Sequence, residues 1–116
     1  MSDPPTNASP LDASSVRTSD DFLALATRRA RAHDPAFPDL ARLPLGVAEG
    51  HGHVTSHGAW RDADRGANLS LTSAEAGPAE EWSVTCWGAG WGFWLRYDAR
   101  PGGAPRCWLE PFSPTP

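Results

Sequence analysis

The sequence predicts an α+β fold, an N-terminal helix packed on a five- to six-stranded antiparallel, strongly bent β-meander, and three observations carry that prediction. One segment near the N-terminus combines helix-capping residues with an apolar stripe at helical spacing. Everything after Gly46 breaks into short runs of aromatic and β-branched residues punctuated by Gly, Pro and Asp. The breaks are short, and short turns join antiparallel neighbours because parallel strands need long crossovers.

The 116 residues fit one domain. Its opening residues, MSDPPTNASPLDASS, are rich in Pro, Ser and Asp and offer almost no apolar surface to offset the entropy of ordering. Residues 1–17 are therefore expected to be a disordered tail, 18–112 the α+β domain, and 113–116 a second disordered tail.

The helix is read in TSDDFLALATRRARAHDP. Thr18 is the N-cap with Asp21 as its reciprocal partner, and Asp20 and Asp21 suit the positive end of the helix dipole. Arg28, Arg29, Arg31 and His33 suit the other end, and Pro35 disfavours helical geometry at Asp34. Phe22, Leu25, Ala26 and Ala30 form the stripe that meets the sheet. The next segment, DPAFPDLARLPLG, carries three prolines with Phe37, Leu40, Leu43 and Leu45 between them, so it reads as an apolar connector lying on the core.

Strands are expected at 51–56, 59–62, 67–72, 81–87, 91–98 and 105–110, with turns at DADRG, SAEAGPAE, GAG and ARPGGAP. Alternation sorts their side chains by face. An even hairpin loop, such as Gly88-Ala89, places Trp82, Val84 and Cys86 with Trp91, Phe93, Leu95 and Tyr97 on one face. Cys107, Leu109, Leu69, Leu71, Val54 and Trp60 join that inward set. Asn68, Ser70, Thr72, His51, His53 and His57 fall on the outward face with Trp87, Trp94, Trp108, Arg96, Arg106 and Glu110. Cys86 and Cys107 lie two strand spacings apart, about 10 Å. A disulfide needs Cα atoms within about 7 Å, so both should be free thiols.

Five of the six tryptophans fall within 27 residues, and the three outward ones are the feature that points to function. Exposed Trp and Arg are the residue types enriched at interaction hot spots. Two arrangements are open: the outward indoles form a binding surface, or the Pro-rich connector, the N-terminal tail or a curled sheet covers them.

Chemistry is otherwise sparse. His51 and His53, at alternate strand positions, could share a metal, with His57, His33, Glu49 or Asp62 as a third ligand, but His57 lies about 13 Å from His53 on a straight strand. The favoured interpretation is surface histidines, and no metal or other cofactor is expected. Asp62, Asp64 and Gly66 lack the further acidic ligands of a calcium loop and read as a polar turn. No nucleophile elbow, phosphate-binding glycine loop or paired acid is present, so an enzyme is not expected.

The net charge of −4, with arginine as the only cation, argues against nucleic-acid binding, which rests on phosphate neutralisation. No apolar stretch has membrane-spanning length and no signal pattern opens the chain, so a cytoplasmic location and no membrane partner are expected. The expected role is a small bacterial binding protein of inhibitor, immunity or adaptor type. It would hold a protein partner through Trp87, Trp94, Trp108, Arg96, Arg106 and Glu110, and a homodimer is a further candidate assembly. The alternatives are a carbohydrate or small-ligand module using the same indoles, and a histidine-metal enzyme built on His51 and His53.

Overall fold

The computed structural model describes residues 9–11, 13–74, 80–100 and 102–113. A short strand β1 (Ser9–Leu11) and a single 3-10 turn (Ala13–Ser15) lead into helix α1 (Ser19–Arg31). A second 3-10 turn (Leu40–Arg42) precedes a run of strands: β2 (Gly46–Gly50), β3 (His53–Asp62), β4 (Arg65–Ala74), β5 (Glu80–Gly88), β6 (Trp91–Ala99) and β7 (Arg106–Phe112). Strands β2 to β7 form an open six-stranded antiparallel meander, and β1 pairs with the β7 edge to give the order β1-β7-β6-β5-β4-β3-β2. The α+β expectation therefore stands, and no helix among the described residues is long and apolar enough to cross a membrane.

Helix α1 starts where the capping residues dictate. Asp21 donates its backbone N–H to Thr18 Oγ1 at 3.2 Å, while its carboxylate accepts the N–H of Thr18 at 3.2 Å and of Arg17 at 3.0 Å. Phe22, Leu23, Ala26, Thr27 and Ala30 are buried on the sheet, so Leu23 takes the central place expected of Leu25, which is only half-buried. Phe22 meets the stacked pair Trp82 and Tyr97, whose ring centroids are 4.4 Å apart.

The connector lies on the same side of the sheet as the helix. Phe37 packs edge-on to Trp60 and Trp91, and Leu40 is fully buried. Thr27 fixes this segment with one hydroxyl, which donates to the Leu23 carbonyl at 2.8 Å and accepts the Leu40 N–H at 3.0 Å. Arg31 adds a hydrogen bond from Nε to the Phe37 carbonyl at 2.8 Å. At the helix end Arg65 donates to Asp34 at 2.6 Å and to Asp62 at 2.9 Å, tying the β3–β4 hairpin to the helix. That hydrogen bond from Arg65 holds the Asp34 carboxyl below its ordinary range.

Three boundaries differ from expectation. Residues 9–11 and 13–17 were expected in the N-terminal tail, but β1 completes the β7 edge and Val16 is buried in the core. Residues 1–8, 12 and 114–116 of the expected tails lie outside the described residues. Next, 51–56 and 59–62 belong to one continuous strand, β3, because Gly58 continues the ladder opposite Leu69. The remaining partner, β2, comes from Gly46–Gly50, a glycine-flanked run with little strand signal that pairs with β3 through the two-residue turn His51-Gly52.

The even register between β5 and β6 is as expected: Cys86 faces Phe93, Val84 faces Leu95 and Trp82 faces Tyr97. Its loop is Ala89-Gly90, one residue along from Gly88-Ala89, with Gly90 supplying the positive φ of 77°.

Candidate binding face

Strand alternation and the observed register divide the tryptophans into two sets. Trp82, Trp91 and Trp60 face the helix and connector; Trp87, Trp94 and Trp108 face away. The sequence left open whether the connector covers this outward set. Phe37 and Leu40 place the connector on the opposite face, so it does not. Trp94 is 37% exposed and is one of three exposed large apolar side chains among the described residues; Trp87 and Trp108 are half-buried.

Trp94 is the centre of the set. It sits opposite Thr85 on one side and Glu110 on the other, so Trp87 and Trp108 are both its diagonal neighbours, about 7–8 Å away in a regular sheet. Two glycines let the flanking rings lie down. Gly66 stands opposite Trp87, and a Cβ there would sit 2.5 Å from Trp87 Cζ2. Gly92 stands opposite Phe112, where a Cβ would sit 2.5 Å from Phe112 Cε1, and the Phe112 ring lies 5.0 Å from that of Trp94.

Each outward indole carries a guanidinium over its ring: Arg61 over Trp87 at 5.6 Å, Arg96 over Trp94 at 5.8 Å and Arg106 over Trp108 at 5.5 Å. Beneath them lie two carboxylates. Glu110, which is buried, accepts the Trp108 indole N–H at 3.0 Å and faces Arg96 Nε at 3.4 Å. Asp98, also buried, faces Arg100 Nε at 3.4 Å and Arg106 at 3.5 Å. A polar hollow of about 270 Å³ opens beside them, lined by Ser70, Thr72, Ser83, Arg96, Arg100 and Trp108, with Glu81 at its β5 side.

The six residues expected to carry binding, Trp87, Trp94, Trp108, Arg96, Arg106 and Glu110, therefore share one face, with five of them on the adjacent strands β6 and β7. Glu110 differs in role: it anchors Trp108 and Arg96 from below. Arg61, Arg100, Asp98 and Phe112 complete the face and were not singled out. Their signal was the register itself, which sets Asp98 opposite Arg106 and Phe112 opposite Gly92.

The histidines do not assemble. His51 stands in the β2–β3 turn at φ 55°, not on the strand with His53, while His53 and His57 lie four residues apart on β3. Among the described residues no group of three or more His, Cys, Asp or Glu side chains could hold a metal ion. Asp62 is engaged by Arg65. Cys86 and Cys107 are free and buried, with β6 between them, and burial pushes their thiols up to about 12 and about 11. Comparison with known proteins finds no matching family model, no matching curated protein and no matching solved structure.

Proposed function

We propose that this chain is a small non-catalytic binding protein that holds a protein partner on the outward face of its sheet. One observation carries the reading: Trp87, Trp94 and Trp108, each with an arginine over its ring, lie on the face opposite the helix and connector. A solvent-facing cluster of Trp and Arg with anchored rotamers is what a binding hot spot requires, since little side-chain freedom remains to be lost on association. A cytoplasmic setting fits the reading, because two free thiols suit a reducing compartment.

The carbohydrate reading uses the same face, and the guanidinium over each indole counts against it. A sugar ring stacking on Trp94 or Trp108 from that side would have to displace Arg96 or Arg106. The metal-enzyme reading has no ligand set among the described residues to build on.

The test is to capture the partner from the source cells, purify it and titrate it against wild type and Trp94→Ala. The expected loss is about 2 kcal/mol, or roughly thirtyfold in Kd, with the thermal midpoint of the free protein little changed. An unchanged Kd for Trp94→Ala, Trp87→Ala and Trp108→Ala would overturn the proposal.

A further inference from the structure

We infer that the corner of this face formed by Arg96, Arg100 and Arg106 takes a carboxylate from an acidic segment of the partner protein, an inference that rests on the protein-binding reading above. The three ion pairs that Arg96, Arg100 and Arg106 make with Glu110 and Asp98 are lopsided. The Arg96 side chain is 44% exposed over a Glu110 side chain at 11%, and Arg100 is 51% exposed over Asp98 at 9%. Arg106 shares Asp98 and is the more exposed of that pair as well. The carboxylates are recessed and the guanidiniums project, so solvent meets the positive ends, in a chain whose net charge is −4.

Pairing also leaves donors over. Arg96 and Arg100 each face their carboxylate through Nε at 3.4 Å, and the terminal nitrogens of each guanidinium carry four further N–H groups. The hydroxyls of Ser70 and Ser83 line the hollow and add donors, while Thr72, also on the lining, shares its hydroxyl with Thr55 at 3.4 Å. Trp108 gives it one aromatic wall. Glu81 is the exposed carboxylate on the lining, on β5 opposite Asp98, and it opposes an incoming acid.

An acidic protein segment fits this better than a phosphate chain. Asp98 and Glu110 already offset much of the local positive charge, and a polyanion would meet the net negative charge of the remaining surface. A single carboxylate needs only the local, charge-assisted hydrogen bonds that the guanidinium fork provides.

The experiment titrates the full ¹⁵N-labelled chain with three probes: a short Glu-Leu-Gly peptide, its Lys-Leu-Gly counterpart and an oligo-dT of similar length. The readout is the indole N–H signals. The acidic peptide should move Trp108 and Trp94 at about 1 mM and leave Trp60, which packs against the connector on the other face, in place. Arg96→Gln combined with Arg100→Gln should weaken this by about tenfold with the dispersed spectrum of the folded chain retained, although the thermal midpoint falls as Glu110 and Asp98 lose their cations, and Glu81→Gln should tighten it by about twofold. Equal or tighter binding of the Lys peptide or of oligo-dT would overturn the inference. So would the absence of any shift with the acidic peptide, or a shift insensitive to the arginine substitutions. The protein-binding reading itself stands or falls separately, on the Trp94→Ala titration of the purified partner.

Discussion

The carboxylate of Glu110 accepts the indole N–H of Trp108 at 3.0 Å, two residues back on the same face of β7. The same oxygen faces Arg96 Nε at 3.4 Å, so one buried acid orients an indole and a guanidinium on neighbouring strands. Glu110→Ala should leave the half-buried indole N–H without its acceptor and cost about 1–2 kcal/mol. Glu110→Gln keeps an acceptor and should cost less. Chemical denaturation together with the Trp108 indole N–H shift checks this; equal stability of Glu110→Ala and wild type would contradict it.

Gly92 makes room for Phe112, and through Phe112 for Trp94. Gly92→Ala should force the Phe112 ring off the sheet, destabilise the fold by about 1–3 kcal/mol, and shift the Trp94 indole signal. The matching Gly66→Ala change should be worse, because its Cβ would meet the Trp60 carbonyl at 2.7 Å as well as the Trp87 ring. Thermal unfolding of both variants gives the comparison.

The hydroxyl of Thr27 carries the packing of the connector on the helix. Thr27→Val preserves shape but leaves the buried Leu40 N–H without an acceptor, at a cost of about 1–3 kcal/mol. Amide exchange should then speed up at Leu40 before it does in the central strands β5 and β6. Unchanged exchange at Leu40 would show that the connector is held without Thr27, by apolar burial and the Arg31 hydrogen bond to the Phe37 carbonyl.

Much of this was legible in the sequence, and the reasons are local. Thr18 and Asp21 announce the helix start because a capping box needs only four residues. The inward set from Trp82 to Tyr97 is legible because an even loop is the one parity that unites two apolar sets. What the chain hides is non-local. Ser9–Leu11 has no strand signal of its own and is ordered by the β7 edge. Gly46–Gly50 is likewise ordered by β3. The aromatic rings over Gly66 and Gly92 and the acids under the arginines follow from register, which is settled only once all the strands are placed.

Acid should weaken the fold through Asp34. Its carboxyl is held below the ordinary value by the hydrogen bond from Arg65, so the folded state releases this proton more readily than the unfolded chain. The contribution is full above the ordinary aspartate pKa of about 3.9 and fades as pH falls through the lower folded value. The stability margin of wild type over Asp34→Asn should thus be constant near neutrality and shrink below about pH 4. A margin that grows on acidification would contradict the assignment.

The central claim is that Trp60, Trp82 and Trp91 face the helix and connector while Trp87, Trp94 and Trp108 face away, with Trp82 the buried indole and Trp94 the exposed one. The most direct measurement is attenuation of the six indole N–H signals by a soluble paramagnetic agent. Strong attenuation of Trp94, intermediate attenuation of Trp87 and Trp108, and none for Trp82 is the predicted order. Protection of Trp94 equal to that of Trp82 would contradict the account.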